Sequence, residues 1–200
     1  MKKFRAAALA LAAVLTVSSM VGCKRNTGSD SSSSINIADM TTVPIGENKI
    51  TASVGQSTTV NDTVFTLNSV ISPADAEAEG KRYVYFDITI NNNSSETYSL
   101  STLNNFYLTM SDGTDVYSDV RTELYAMQNF KEGAYFSDPF DIAANSTFSG
   151  VVGGFLVDKN AESFSVGFFP TKGMPTAKGD VIIIDVNAND IIAPSAELFK

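Results

Sequence analysis

The chain has 200 residues and a formal net charge of −8 at neutral pH, with 22 acidic residues, 14 basic residues and no histidine. Its lysines and arginines form no cluster, so the acidic chain repels nucleic acid and we expect no nucleic-acid partner. The lack of histidine removes the commonest general base and the commonest zinc ligand. The sequence also contains no glycine-rich phosphate loop and no G-x-S-x-G motif. It therefore predicts a protein that is not an enzyme.

The first 22 residues have the three-part layout of a secretory signal peptide. Residues 1–5 are basic, and residues 6–17 are an apolar run that is shorter than the roughly 20 residues of a permanent membrane span. A small residue, Gly22, then precedes Cys23, which is the single cysteine of the chain.

The end of this leader resembles a bacterial lipoprotein signal, with Met20 where that pattern usually has leucine. The resemblance implies that Cys23 carries a diacylglycerol on its sulfur and becomes the mature N-terminus, held at the outer face of the cell membrane. Two acyl chains are sufficient for stable attachment. The alternative is a free thiol in an uncleaved or differently cleaved leader. Without its leader the chain has eleven basic and 22 acidic residues, a formal net charge of −11.

Residues 23–54 are predicted to form a flexible, serine-rich tether. They include a run of four serines and, further on, the structure-breaking residues Pro44 and Gly46. A flexible chain of this length has a root-mean-square span of about 30 Å. We expect the folded domain to cover residues 55–187 and to be followed by a tail, residues 188–200.

The clearest strand in the sequence covers residues 81–93, where apolar residues alternate with polar or aromatic ones. The alternation predicts one face directed at a core, namely Val84, Phe86, Ile88 and Ile90. The other face carries Tyr83 and Tyr85, which we predict to be outward-facing and to belong to a binding surface.

Further short strands follow the same pattern. Residues 58–71 predict a hairpin, and residues 106–110 predict a strand that ends in an Asp112–Gly113 turn. Residues 147–157 predict a strand interrupted by a bulge at a glycine pair, and residues 181–186 predict a buried strand. Seven to nine short strands with little helical periodicity predict an all-β fold, an antiparallel β-sandwich.

Residues 118–145 are less regular. Ser118 or Asp119 is positioned to cap a short helix with apolar residues at positions i, i+4 and i+7. Aromatic residues follow the helix, namely Phe130, Tyr135, Phe136 and Phe140. They either close one end of the sandwich or form an exposed binding surface that includes Tyr135.

Two small-ligand sites are compatible with the sequence. Asp112, Asp115 and Asp119 supply carboxylate oxygens for a calcium ion, although their spacing differs from an EF-hand loop. The alternative is that they are turn-forming aspartates on an acidic surface. Carbohydrate binding is a second option, with tyrosines in place of the absent tryptophan.

Four stretches of the chain resemble a known family: VGQSTTVNDTVFTLNSV, GKRYVYFDITINNNSSE, FYLTMSDGTDVYSD and IAANSTFSGVVGGFLV. They are similar to bacterial lipoproteins with a telokin-like domain of unknown function, and to the mycobacterial immunoprotective extracellular antigen. The resemblance covers about residues 54–170, with Ala144 and Asn145 where the family usually has Pro-Gly. It implies an immunoglobulin-like fold and transfers no catalytic residues.

Three functional hypotheses follow. The first is a lipid-anchored, non-catalytic module that binds a protein or a component of the cell envelope. The second is a module for a small ligand, either a carbohydrate or calcium. The third is a structural spacer or surface antigen without a specific partner.

Overall fold

The structure is a computed structural model that describes residues 48–170 and 179–200. The predicted signal peptide, the lipidated Cys23 and the tether as far as residue 47 lie outside the described residues. No helix within these two ranges has the length and apolar character needed to cross a membrane.

Thirteen strands and two α-helices form within the described residues. In chain order they are β1 (Asn48–Ser53), β2 (Thr58–Val60), β3 (Thr63–Ile71), β4 (Glu77–Ala78), β5 (Lys81–Asn92), β6 (Tyr98–Leu100), α1 (Thr102–Asn105), β7 (Phe106–Met110), β8 (Asp115–Val116), α2 (Val120–Asn129), β9 (Phe140–Ile142), β10 (Ser146–Asp158), β11 (Ser163–Phe168), β12 (Asp180–Asn187) and β13 (Ile191–Ile192).

The strands form two principal sheets, which confirms the predicted β-sandwich. One sheet has the order β1-β12-β11-β7-β8, and the other is built on β10-β5-β3-β13, with β2 paired to β3 and β4 paired to β5. Strands β6 and β9 form a separate two-stranded sheet. The strand count exceeds the predicted seven to nine because six of the strands have only two or three residues. Pairing is antiparallel except at β1–β12 and β13–β3, which are parallel.

Strand β5 lies at the centre of the six-stranded sheet, between β3 and β10. Its predicted inward residues, Val84, Phe86, Ile88 and Ile90, are all fully buried in the core between the two principal sheets. We call this the inner core. Its aromatic centre joins both sheets, because the ring of Phe106 lies 6.0 Å from that of Phe86 and 4.7 Å from that of Phe168. Each such burial contributes about 1.5–3 kcal/mol.

The predicted bulge in β10 is confirmed and follows from its two glycines. The register with β5 shifts between Val152 and Phe155, and Gly153 has φ +108°, a conformation that favours glycine. A Cβ on Gly154 would lie 2.7 Å from the backbone oxygen of Val84, so β5 passes too close for a side chain there.

A second core covers the outer face of the six-stranded sheet, and we call it the outer core. Its buried members are Ile71, Ala76, Tyr83, Tyr85, Ala126, Phe130, Val151 and Leu156. Helix α2 and the C-terminal segment cover them, and the Phe199 ring lies 5.3 Å from that of Phe130. The sheet is therefore buried on both faces where these residues lie, whereas Asn68 and Ser149 elsewhere on the outer face are exposed.

Two predicted boundaries are wrong. The tether does not extend to residue 54, because Asn48–Ser53 forms β1, an edge strand that pairs with β12 and directs Ile50 and Ala52 at the inner core. Residues 188–200 are not a free tail. They include a 3₁₀ turn and β13, and the backbone N–H of Lys200 donates to Asn129 O at 2.8 Å.

The aromatic residues that follow α2 belong mainly to the cores. Phe130 is buried in the outer core, Phe140 is buried in the inner core, and Phe136 is half-buried against the inner core. Of the two interpretations of this segment, the packing supports the one that assigns it to the interior.

Candidate protein-binding surface

The prediction that Tyr83 and Tyr85 face outward to a ligand is wrong. Both are buried in the outer core, where the Tyr85 hydroxyl donates to the backbone oxygen of Thr122 at 2.6 Å. The Tyr83 ring packs edge-on against Tyr125, with 5.5 Å between ring centres. The alternation in β5 fixes which residues share a face of the strand, but it contains no information about what covers that face. A carbohydrate therefore cannot stack on either ring.

Tyr135 is half-buried beside the outer core. Its hydroxyl donates to Gly153 O, and its ring lies 5.8 Å from that of Phe130. Burial raises the pKa of Tyr135, and the nearby carboxylates of Glu123 and Asp138 raise it further. Tyr135 is therefore a neutral hydrogen-bond donor beside two carboxylates.

The three aspartates of the predicted calcium site each have a separate hydrogen-bond partner. Asp112 accepts from the backbone N–H of Thr114, Asp115 accepts from the Thr109 hydroxyl on the paired strand, and Asp119 caps α2. In residues 48–170 and 179–200, no group of three or more acidic or cysteine side chains is close enough to hold a metal ion. The predicted site is thus not assembled from these three residues.

Helix α2 begins at a well-defined cap. The Asp119 carboxylate accepts from the N–H of Arg121 at 2.9 Å, and the N–H of Asp119 donates to Gly154 O in the β10 bulge. The Arg121 guanidinium holds the pKa of Asp119 below its usual range, first through the hydrogen bond between their side chains. The bulge that glycine permits in β10 thus helps to fix the position of the helix.

The face that α2 turns to the sheet combines two small residues with one aromatic residue, Tyr125, whose ring packs edge-on against that of Tyr83. Thr122 and Ala126 are buried, and the half-buried Tyr125 donates to the Asp75 carboxylate at 2.8 Å. The helix ends against the C-terminal segment, where Lys200 Nζ donates to Gln128 O at 2.8 Å.

The opposite face of α2 presents its apolar residues to solvent. Val120 is 66% exposed, Leu124 is 54% exposed and Met127 is 59% exposed, and we call these three residues the α2 stripe. They occupy the i, i+4 and i+7 positions of the predicted helix, a spacing that ordinarily indicates the side that faces a core. Here the core side is occupied by Thr122, Tyr125 and Ala126, and the side with the stripe faces outward.

A cleft of about 250 Å³ adjoins the N-terminal end of the α2 stripe, and we call it the acidic cleft. Its walls include the stripe residue Val120 and Leu103, which is 60% exposed. Its acidic residues are Asp119, Glu123 and Asp138.

Asp138 forms hydrogen bonds that connect the segments lining the acidic cleft. Its Oδ1 accepts from the backbone N–H and the hydroxyl of Thr102, each at 2.8 Å, and its Oδ2 accepts from the N–H of Leu103 at 3.1 Å. The N–H of Asp138 itself donates to Glu123 Oε1 at 3.2 Å. Helix α1, the segment after α2 and α2 itself are thereby joined around one opening.

A second cleft, of about 420 Å³, adjoins the C-terminal end of the stripe and is lined by Met127, Phe130, Lys131 and Lys200 among others. Tyr135 lines both clefts. The charges beside α2 therefore differ at its two ends, with carboxylates near Val120 and with Lys131 and Lys200 beside Glu132 near Met127. Sequence reasoning missed this arrangement because α1, residues 131–138 and Lys200 are distant from one another in the chain.

The fold and this surface define an all-β sandwich domain that presents an apolar helix face between two polar clefts. By sequence, the chain belongs to the family described as domain of unknown function DUF4352, which matches residues 52–180. Of the resemblance that the sequence motifs suggested, one part is confirmed: the chain contains a β-sandwich domain of unknown function. Among proteins with curated descriptions, none matches the chain.

Several solved structures are similar at low identity. The yjhA protein of Bacillus subtilis has a TM-score of 0.48 at 11% identity, covering 70% of this chain and 99% of its own. The candidate lipoprotein ycdA of the same organism has a TM-score of 0.47 at 13% identity, covering 70% of this chain but only 40% of its own. The secreted protein MPT63 of Mycobacterium tuberculosis has a TM-score of 0.43 at 12% identity, covering 68% of this chain and 98% of its own.

Proposed function

We propose that this chain is a lipid-anchored, extracytoplasmic binding module that performs no catalysis and recognises a protein partner through the α2 stripe. The observation that carries the proposal is the orientation of α2. The helix covers the outer core with Thr122 and Ala126 and leaves Val120, Leu124 and Met127 in water. Clustered exposed apolar side chains beside polar residues are typical of protein-interaction sites.

The anchor is supported by the N-terminal sequence. Gly22 followed by Cys23, after a basic and an apolar segment, fits a lipoprotein leader, and a single cysteine cannot form an internal disulfide. An anchored module with a tether remains at the cell surface while its domain samples nearby proteins.

The anchor is tested by mass spectrometry of the mature protein and by membrane fractionation. We expect a diacylated N-terminal peptide that begins at Cys23, and release of the Cys23→Ser variant from the membrane fraction. A mature N-terminus elsewhere, or an unmodified Cys23, would contradict this part of the proposal.

The binding surface is tested by photo-crosslinking on intact native cells. A photoreactive amino acid replaces Leu124 in one protein and Thr51, an exposed residue of β1 on the other principal sheet, in the control. We expect one specific crosslinked protein from position 124, none from position 51, and loss of the product when Val120 and Met127 are both changed to serine. Equal products from the two positions would refute the proposed surface.

A further inference from the structure

The acidic cleft carries an excess of negative charge next to the α2 stripe. Asp119 is neutralised by Arg121, whose Nη2 lies 2.9 Å from Asp119 Oδ2. Glu123 and Asp138 form no ion pair with any lysine or arginine of the described residues. Both carboxylates raise the pKa of Tyr135, which indicates that they act on the same part of the cleft.

The carboxylates of Asp138 and Glu123 differ in how many hydrogen bonds they accept. Asp138 accepts three hydrogen bonds from Thr102 and Leu103, so its charge is partly compensated by the start of α1. Glu123 accepts one hydrogen bond, at 3.2 Å, from within the described part of the chain. Glu123 is therefore the carboxylate of the cleft with the most capacity to bind a cation.

Two side chains form the apolar part of the cleft wall, which also contains Thr102 and Ser118. Leu103 and Val120 lie beside the carboxylates, and both are mostly exposed. A lysine or arginine side chain has a matching structure, with an aliphatic stem that packs on apolar surface and a charged end that pairs with a carboxylate. A simple inorganic cation would leave the two apolar walls in contact with water.

We infer that the protein partner inserts a lysine or arginine side chain into the acidic cleft while its apolar side chains cover the α2 stripe. The stem of the basic residue contacts Leu103 and Val120, and its charged end pairs with Glu123 beside Asp138. This inference rests on the proposed function and names the chemistry of the partner. Because the second cleft contains Lys131 and Lys200 beside Glu132, whereas the described lining of the acidic cleft contains no lysine or arginine, the basic residue of the partner is directed to the Val120 end.

An anionic membrane surface does not fit the same site. The chain without its leader has a formal net charge of −11, and the carboxylates of the acidic cleft stand beside the apolar residues that would have to enter the lipid. Like charges repel across such a contact. The observations therefore favour a basic and apolar protein segment over a lipid surface.

The experiment is a selection of displayed random 12-residue peptides on the intact mature chain carrying Cys23→Ser. We expect the enriched peptides to combine apolar residues with a lysine or arginine. Their affinity should fall about three- to tenfold in Glu123→Gln, which keeps the acceptor oxygen for Asp138 N–H and removes the charge, and it should weaken with salt. The matched control is Glu132→Gln, an exposed residue of the second cleft, which should leave the affinity unchanged.

The outcomes separate this inference from the proposed function. Peptides that require Leu124 but lack a basic residue, or that bind wild type and Glu123→Gln equally, overturn the inference alone. If Val120→Ser/Leu124→Ser retains every selected peptide, the stripe itself is refuted. Binding of the same chain to phosphatidylglycerol vesicles that depends on Leu124 would overturn the inference in favour of a membrane surface.

Discussion

The two cores that cover the central sheet are built differently. The inner core is made by strands that face one another, and Phe86, Ile88 and Ile90 of β5 are fully buried in it. The outer core is covered by helix α2 and by the C-terminal segment. Its central residue, Tyr85, donates a hydrogen bond to the backbone of α2. One face of the sheet is thus stabilised by a repeating apolar pattern, and the other depends on segments that meet only in the folded chain.

This difference has a consequence for function. Helix α2 contacts the outer core through Thr122, Tyr125 and Ala126, whereas the residues of the α2 stripe lie outside this packing. They remain free to contact another molecule. Substitutions in the inner core, the outer core and the α2 stripe should therefore have progressively smaller effects on stability.

The largest effect is expected in the inner core. Phe86→Ala leaves a cavity beside the rings of Phe106 and Phe155, which lie 6.0 Å and 5.0 Å from that of Phe86. We expect a loss of about 3–5 kcal/mol in the free energy of unfolding, measured by chemical denaturation. Thr51→Ala at the exposed position of β1 is the control. A loss below about 1 kcal/mol would mean that this ring is not part of a packed core.

The outer core should tolerate a similar deletion better. Phe130→Ala removes a ring that packs against Tyr85 and Phe199. We expect a loss of about 2–3 kcal/mol, because α2 and the C-terminal segment can move into part of the space. Hydrogen exchange should show faster exchange of α2 amides while the β5 amides stay protected. Equal acceleration in both elements would contradict the separation of the two cores.

Alkaline pH should destabilise the protein through its buried tyrosines. Burial raises the pKa of Tyr85, and also that of Tyr125 and Tyr135, above the value near 10 of an unfolded chain. Above pH 10 the unfolded chain loses these protons while the folded chain keeps them, so the free energy of unfolding falls as pH rises. At pH 11 the loss from Tyr85 is on the order of 1 kcal/mol relative to pH 8.

Tyr85→Phe should reduce that pH-dependent loss. Tyr107 belongs to neither core and offers a comparison. Burial, and secondarily Asp115, raises its pKa to about 12. Tyr107→Phe should therefore remove only the loss that occurs between about pH 10 and pH 12. A free energy of unfolding that does not change between pH 8 and pH 11 would contradict both expectations.

The cap of α2 should contribute a smaller amount. Asp119→Ala removes the acceptor for the N–H of Arg121 and should cost about 1 kcal/mol, whereas Asp119→Asn keeps an acceptor and should cost less. Since the pKa of Asp119 is lowered in the fold, its contribution is present above the unfolded pKa near 4 and is lost as pH falls through the folded value. Asp119→Asn should show less loss in acid than wild type, and an identical acid profile would count against this role.

The α2 stripe should matter least for stability. Val120→Ser, Leu124→Ser and Met127→Ser each replace a side chain that is more than half exposed, so each should change the free energy of unfolding by no more than about 0.5 kcal/mol. Thr122→Val is the contrasting change on the buried face of the same helix. Destabilisation by the serine variants comparable to that of Phe130→Ala would show that the stripe belongs to the folded core.

The sequence predicted the inner core well because its determinants are local. The alternation in β5, the Asp112–Gly113 turn and the glycine pair of β10 each act within a few residues, and all three appear in the structure. The edge strand β1 was missed because its alternation is short, with only Ile50 and Ala52 of Asn48–Ser53 directed at the core, and its pairing partner β12 is distant in the chain.

The candidate site was predicted less well because it depends on long-range packing. Helical spacing correctly grouped Val120, Leu124 and Met127, but only the packing of Thr122 and Ala126 against the sheet shows that the group faces solvent. Tyr83 and Tyr85, which were predicted to bind a ligand, are instead buried in the outer core. Asp138 is distant in the chain from Thr102, so their contact in the acidic cleft has no short-range signal.

The most direct test is photo-crosslinking from position 103 on intact cells, in wild type and in a Val120→Ser/Leu124→Ser/Met127→Ser variant. The photoreactive amino acid replaces Leu103 in both proteins, and because position 103 lines the acidic cleft together with Val120, the reactive group reports on the adjoining stripe. We predict that wild type yields a specific crosslinked protein, and that the variant loses it while its free energy of unfolding stays within about 1 kcal/mol of wild type. A crosslink that persists in the folded variant would contradict binding through the α2 stripe.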